Sequence, residues 1–168
     1  MVLVTGGTGL IGAHILFDLC QEEKEIRAIK RSSSDLYLIE SLFKHYSPEN
    51  HQDLLSKINW VEADVTDIDS MLDATKDVDI VYHAAAIVSF HKHDAERMIH
   101  ANIRGTANVV NACKENGIKK IGYISSVAAL GPSKQDEPVD EYCHWEVNKE
   151  NSNYAISKYG AEREVWRI

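Results

Sequence analysis

The sequence has no apolar run approaching the ~20 residues of a membrane-crossing helix, no surplus of basic residues and few cysteines. Each shortage excludes something. The 168 residues carry 18 Lys and Arg against 26 Asp and Glu, a net charge of −8. Nucleic-acid binding needs a basic face for phosphates, so no nucleic-acid partner is expected. Cys20, Cys113 and Cys143 are an odd number without Cys-x-x-Cys spacing. That argues against a disulfide framework or zinc site and for a reducing, cytoplasmic setting. The first twenty residues are largely apolar, but they lack a basic start and are broken by glycines, Thr5, Thr8, His14 and Asp18. They are not expected to act as a secretion leader.

What is present alternates strand with helix. Residues 2–4, 26–29, 58–61, 78–82 and 121–124 are short β-type runs. Between them, residues 10–23, 36–46, 68–74 and 95–116 show helical spacing. In the first helix the stripe is Ile11, Ile15, Leu16 and Leu19. In the last it is Ile99, Ile103, Thr106, Val110 and Cys113, with Gly117 placed as a C-terminal cap. Ser47-Pro48 ends the second helix, and Glu22 to Glu25 reads as a solvated helix end. Residues 131–153 are polar and contain proline, and they read as a long functional loop. Five strands with helical connections predict an α/β fold: a doubly wound parallel sheet of the Rossmann type, in order 3-2-1-4-5. A further helical pattern from Tyr154 stops at Trp166-Arg167-Ile168 without a cap. The chain is therefore expected to be a C-terminally truncated dinucleotide-binding domain, without a substrate-binding region.

Thr5-Gly6-Gly7-Thr8-Gly9-Leu10-Ile11-Gly12 joins the first strand to the first helix. Gly6 permits the tight turn, and Gly9 lets a pyrophosphate reach the backbone N–H groups at the helix start. Gly12 allows close packing. This context predicts a nicotinamide dinucleotide held by Gly6, Thr8, Gly9, Leu10, Ile11 and Gly12. The second strand ends in Lys30-Arg31-Ser32-Ser33-Ser34, with no acid until Asp35. Arg31 and Ser32 suit a 2′-phosphate, so NADP is preferred, with NAD possible. Asp64 and Val65 fit an adenine edge and face, although Asp64 also suits a helix cap. Ala84, Ala85 and Ala86 let the cofactor lie against backbone.

Tyr154 and Lys158 stand four residues apart, on one helical face. An ammonium beside a phenol favours the phenolate and suits the pair to proton transfer. Ser126, at the end of the fifth strand, could donate to the same substrate oxygen. His91, His93 and His100 lack a metal-ligand pattern and are read as ordinary exposed histidines, so no metal is expected. Trp60, Trp145 and Trp166 are assigned to core, loop anchor and outward packing.

Together these motifs resemble the extended short-chain dehydrogenase/reductases, the group that includes sugar-nucleotide epimerases, dihydroflavonol-reductase-like enzymes and 3β-hydroxysteroid dehydrogenases. The likeness runs in order through Thr5 to Gly12, Asp64-Val65, His83 to Ala86, Asn102 to Thr106, Ser125-Ser126 and Tyr154 to Lys158. It implies that Ser126, Tyr154 and Lys158 are catalytic. Lys158 would also hold the nicotinamide ribose, and Asn102 would support the cofactor site. Residues 126–131 lack the Asp-Glu pair of sugar 4,6-dehydratases, which discounts dehydration. Residues 83–90 and 127–130 look closer to the dihydroflavonol-reductase side. The leading expectation is hydride transfer between NADP(H) and a carbonyl/alcohol small molecule. Two alternatives stay open: a nucleotide-sugar epimerase with tightly bound NAD, and a non-catalytic cofactor-binding protein. The resemblance also implies a homodimer through the long helix and the helix bearing Tyr154.

Overall fold

Val2 and Val4 face one side of the first strand and Leu3 faces the other, because side chains alternate along a strand. All three are buried. A sheet buried on both faces follows, and the computed structural model shows it across the residues it describes, 1–22, 24–131, 138–149 and 151–167. Among these, β1 (Val2–Thr5), β2 (Ile26–Lys30), β3 (Ile58–Glu62), β4 (Ile80–His83) and β5 (Lys120–Tyr123) form one parallel sheet in the order β3-β2-β1-β4-β5. That is the predicted order.

One face carries α1 (Leu10–Gln21), α2 (Tyr37–Tyr46) and α3 (His51–Ser56). Its core joins Val2 and Val4 to Leu16, Leu19, Ile39 and Phe43. The other face carries α4 (Ile68–Ala74) and α5 (Ala95–Glu115), with Leu3, Met71, Val81, Val109 and Cys113 at its centre. Each such side chain removed from water contributes roughly 1.5–3 kcal/mol. The last helix, α6 (Asn153–Val165), packs along α5. Single 3₁₀ turns cover Lys92–Asp94 and Val127–Ala129.

Several expectations need correction. Ile11 is not in the α1 stripe. It is 52% exposed at the helix start and Ile15 is only partly buried, whereas Leu16 and Leu19 are buried as expected, with Ala13 and Cys20 beside them. Ile99 and Ile103 are only partly buried; α5 buries Met98, Asn102 and Val109 in their place. β4 begins at Ile80 rather than 78, because Val78 is still held by its N–H to Thr75 O. Helix α3 is unanticipated: six residues are too few to show a period, and it starts just past Pro48, whose carbonyl meets His51 Nδ1 at 2.9 Å. Gly117 follows α5 at φ +67°, where a cap was expected.

The tract 131–153 holds no helix or strand among its described residues before α6, and positions 132–137 and 150 lie outside them, as does Glu23. The tract is anchored at two points. Gly131 backs onto His144 so closely that a Cβ there would lie 1.8 Å from its carbonyl oxygen. Trp145 stacks on Tyr159 of α6 at 4.4 Å and 7° between planes, the loop anchor that was expected. Trp60 packs against the core and Trp166 is exposed.

Candidate functional site

The turn after β1 bends at Gly6, whose φ of +71° is a conformation that L side chains avoid. A Cβ there would also sit 2.6 Å from Ala85 N, so the turn lies against the strip that follows β4. A Cβ on Gly12 would come within 2.1 Å of Gly6 O; the helix start is pressed onto the turn. Gly9 caps α1 with no side chain of its own and no acid in the first turn. The first N–H groups of the helix have no intrahelical partners. Bare backbone and a positive dipole end therefore face outward together.

They form the floor of a cavity of about 550 Å³ at the carboxyl edge of the sheet, a size usual for a small-molecule or cofactor site. Gly6, Thr8 and Gly9 line it, as do Arg31, Asp64 and Val65. Ala84, Ala85, Ala86 and Asn102 complete the expected set. Lys30, Ser34, Arg97 and His100 also line it and were not anticipated as site residues. Leu10, Ile11, Gly12 and Ser32 do not. The first three belong to the site only through the backbone of the helix start. Ser32 is exposed, whereas a turn in which Ser34 N–H donates to Arg31 O and Ser34 Oγ accepts from Arg31 N brings Ser34 round to the cavity.

Asp64 is not a helix cap; Asp67 fills that role for α4. One oxygen of Asp64 accepts from Thr66 N at 2.8 Å and from Thr66 Oγ1 at 2.7 Å. Burial raises its pKa, but these bonds and the Arg31 charge outweigh burial and leave it lowered. The second oxygen has no hydrogen-bond partner among the described residues and can accept from a ligand amine.

Asn102 is nearly fully buried, and its amide is fully committed. It accepts from Ile87 N at 2.7 Å and donates to Ile87 O and to Ser157 Oγ, each at 2.9 Å. It therefore braces the site rather than offering a free ligand group, and it ties the cavity wall to α6.

Beneath this tie runs a buried polar chain. Thr5 Oγ1 accepts from Ala85 N and lies 2.6 Å from His83 Nδ1, while His83 Nε2 is 2.9 Å from Thr106 Oγ1. Burial, and then the charge of Lys158, push the His83 pKa down to about 3, so its imidazole is neutral. Burial raises the neighbouring Tyr123 phenol well above the usual range, with Thr106 acting in the opposite sense.

Lys158 is 3% exposed. Its Nζ donates to Ile124 O at 2.7 Å and lies 4.4 Å from the centre of the Tyr123 ring. Burial lowers its pKa to about 8. Tyr154, one turn earlier on α6, is half-buried with its ring 6.4 Å from Phe90. Its hydroxyl has no hydrogen-bond partner among the described residues. Ser126 Oγ accepts from Ala128 N at 3.2 Å and keeps its own proton to donate. Ser125 donates to Glu162. Ser126, Tyr154 and Lys158 lie outside the cavity lining; Ser157 Oγ, which accepts from Asn102 and donates to Tyr154 O, ties the Tyr154 turn of α6 to it. His91 and His93 stack on each other in the open, and no cluster of three or more His, Cys, Asp or Glu among the described residues could hold a metal ion.

A nicotinamide dinucleotide fits these residues: bare backbone at Gly9, unpaired helix-start N–H groups, and three cations against one carboxylate around a single cavity. Comparison with known proteins agrees. A Synechocystis protein provisionally named dihydroflavonol 4-reductase is 34% identical over 162 residues, covering 96% of this chain and 43% of that protein. The 3 beta-hydroxysteroid dehydrogenase/Delta 5-->4-isomerase of Vaccinia virus (strain Ankara) is 31% identical over 172 residues, covering 98% and 45%. The Bordetella bronchiseptica enzyme WbmH, solved in complex with NAD+, superposes with a TM-score of 0.77 at 25% identity, covering 99% and 52%. The chain thus spans less than half the length of the curated relatives it matches. The family model of the NAD dependent epimerase/dehydratase family matches residues 2–168. With that match and the site just described, the chain belongs to the NAD dependent epimerase/dehydratase family.

Proposed function

We propose that this chain is the cofactor-binding part of an oxidoreductase that prefers NADP(H) and acts on a carbonyl/alcohol substrate, with Tyr154 as general acid/base. The observation that carries the proposal is the uncommitted Tyr154 hydroxyl, one helical turn from the desolvated ammonium of Lys158. Asn102 braces this pair against the cation-lined cavity. When bound, the nicotinamide supplies reversible two-electron chemistry as a hydride donor or acceptor. Gly6, Thr8, Gly9 and the helix-start N–H groups would hold its diphosphate. Asp64 and Val65 would meet the adenine, and Arg31, with Lys30 and Ser34 beside it, the 2′-phosphate.

The chain's own residues would manage the proton. Ser126 Oγ–H donates to the substrate oxygen and orients it. Tyr154 delivers or removes the proton at that oxygen, the role a positioned side chain plays in general acid–base catalysis. Lys158, held in a low-dielectric place, keeps positive charge near the phenol at neutral pH. Arg31 is the basis of the NADP preference, because a guanidinium fork matches a phosphate and no acid stands at the β2 end to receive a bare 2′-hydroxyl.

Titration with NADP+ and NAD+, repeated on Arg31→Ala, tests the cofactor half. The expected result is a tenfold or greater loss for NADP+ with NAD+ little changed; equal parent affinities that Arg31→Ala leaves untouched would reject the preference. Tyr154→Phe in the full-length protein tests the chemistry, with a loss of orders of magnitude in kcat expected at unchanged cofactor affinity. The family match also favours a second reading, epimerisation with NAD retained through the cycle. Stoichiometric consumption of NADPH and free exchange of cofactor separate the reductase from it.

A further inference from the structure

We infer that Arg97 and His100, on the first two turns of α5, form a purine-binding wall of the cofactor cavity; this rests on the cofactor reading above. The cavity has two opposed sides. From the β2 and β3 ends come Arg31, Asp64 and Val65; from α5 come Arg97, His100 and Ala101. Positions i, i+3 and i+4 share one helical face, so these three α5 residues reach the cavity as a set.

Both side chains are free to act. Arg97 and His100 are exposed, and neither has a hydrogen bond or ion pair among the described residues. The acids nearest in sequence are Glu96 and Asp94; Asp94 accepts from Ser89 Oγ at 2.7 Å, lies 3.6 Å from His93 Nε2 and feels the Arg97 charge, and neither acid lines the cavity. A guanidinium lining a cavity that already holds Lys30 and Arg31, with Asp64 the one carboxylate in that lining among the described residues, is unexpected in a chain of net charge −8 unless a ligand answers it.

The shape of the groups narrows what that ligand group is. No Phe, Tyr or Trp lines the cavity among the described residues, and the Asn102 amide is committed. On the α5 side the only flat groups that remain are the Arg97 guanidinium and the His100 imidazole. Planar guanidinium stacks on aromatic faces and donates to ring nitrogens, which a lysine ammonium cannot do in the same way. Val65, Ala85 and Ala86 supply apolar surface, and the free Asp64 oxygen supplies an acceptor for an exocyclic amine. The purine therefore lies between aliphatic side chains and a cationic plane, while Arg31 serves the ribose 2′ position.

The two arginines thus have separable signatures. Arg97→Ala is expected to weaken NADP+, NAD+ and adenosine 5′-diphosphate by a common factor of about three to ten, leaving nicotinamide mononucleotide unchanged. Arg97→Lys keeps the charge but loses the plane, and should recover less than half of that loss on a logarithmic scale. His100→Ala should weaken the same three adenine ligands by a smaller factor. Isothermal titration on the folded chain, with circular dichroism of each variant, reads all of this. Dissociation constants within twofold of the parent for Arg97→Ala overturn the inference, as does full rescue by Arg97→Lys, which would mean a point charge suffices. Loss confined to NADP+ also overturns it, by assigning Arg97 to the phosphate. If the parent binds no dinucleotide, the cofactor reading falls together with the inference; if the parent binds and only Arg97→Ala is silent, the inference alone falls.

Discussion

Replacing Lys158 with methionine should change how stability depends on pH. The buried ammonium has its pKa lowered from 10.5 to about 8 by desolvation. Each tenfold change in a proton equilibrium is worth about 1.4 kcal/mol, so keeping Lys158 charged in the fold costs about 3 kcal/mol at neutral pH. Between pH 8 and 10.5 the unfolded chain still holds a proton that the folded chain has released. Stability therefore rises with pH across that window, by about 2.5 kcal/mol from pH 7 to pH 10. Burial raises the pKa of Cys20 to about 11, of Cys113 to about 12 and of Tyr123 further still, and these groups act in the opposite sense. They are common to both proteins, so the quantity to follow is the difference between parent and variant. Methionine keeps the volume but leaves Ile124 O without its donor, a pH-independent loss of about 1–3 kcal/mol. Lys158→Met should therefore match or slightly exceed the parent at pH 7 and fall below it at pH 10. Urea unfolding followed by tryptophan fluorescence at unit steps of pH measures this. A parent-minus-variant difference that stays flat within about 0.5 kcal/mol would refute the reasoning.

Two further substitutions probe the frame of the site. Gly12→Ala places a methyl group 2.1 Å from Gly6 O, and the obstacle is backbone rather than a side chain that could swing away. A loss of about 3 kcal/mol or more is expected, with dinucleotide affinity falling alongside; an unchanged Tm and Kd would contradict the packing described. Asn102→Leu leaves Ile87 N–H and Ile87 O without their partner and removes one of the two bonds of Ser157 Oγ, which keeps Tyr154 O. Denaturant titration should show about 2–4 kcal/mol of destabilisation, whereas less than about 1 kcal/mol would mean that the tie between cavity and α6 is slack.

The strand order was legible because each parallel strand reads as an apolar run and each connection as a helix, which right-handed crossovers can assemble in few ways. The glycine turn was legible for a local reason: Gly6 and Gly12 answer demands made within a few residues of themselves. Side-chain direction at element ends was not. Ile11 has helical spacing yet is exposed, because it stands on the first turn, before the helix packs onto the sheet through Ala13 and Leu16. Ser34 displaced Ser32 through a turn whose hydrogen bonds involve residues three apart, and a row of three serines does not reveal which one folds back. Arg97 and His100 carried a weak signal, an i, i+3 pair near the start of a helix that follows a strand end. Nothing in the chain says which face of α5 meets the crevice until β3, β4 and α5 are placed together.

The closure of residue 131 against residue 144 has a consequence for how such a protein can diversify. Chain between two points held together can change length at little expense, since doubling the length of a loop adds only about 0.6 kcal/mol of closure entropy. The tryptophan immediately after residue 144 is clamped on α6, which fixes the far end of the segment against the helix that bears Tyr154. An insertion between the two points is therefore expected to leave that anchor in place.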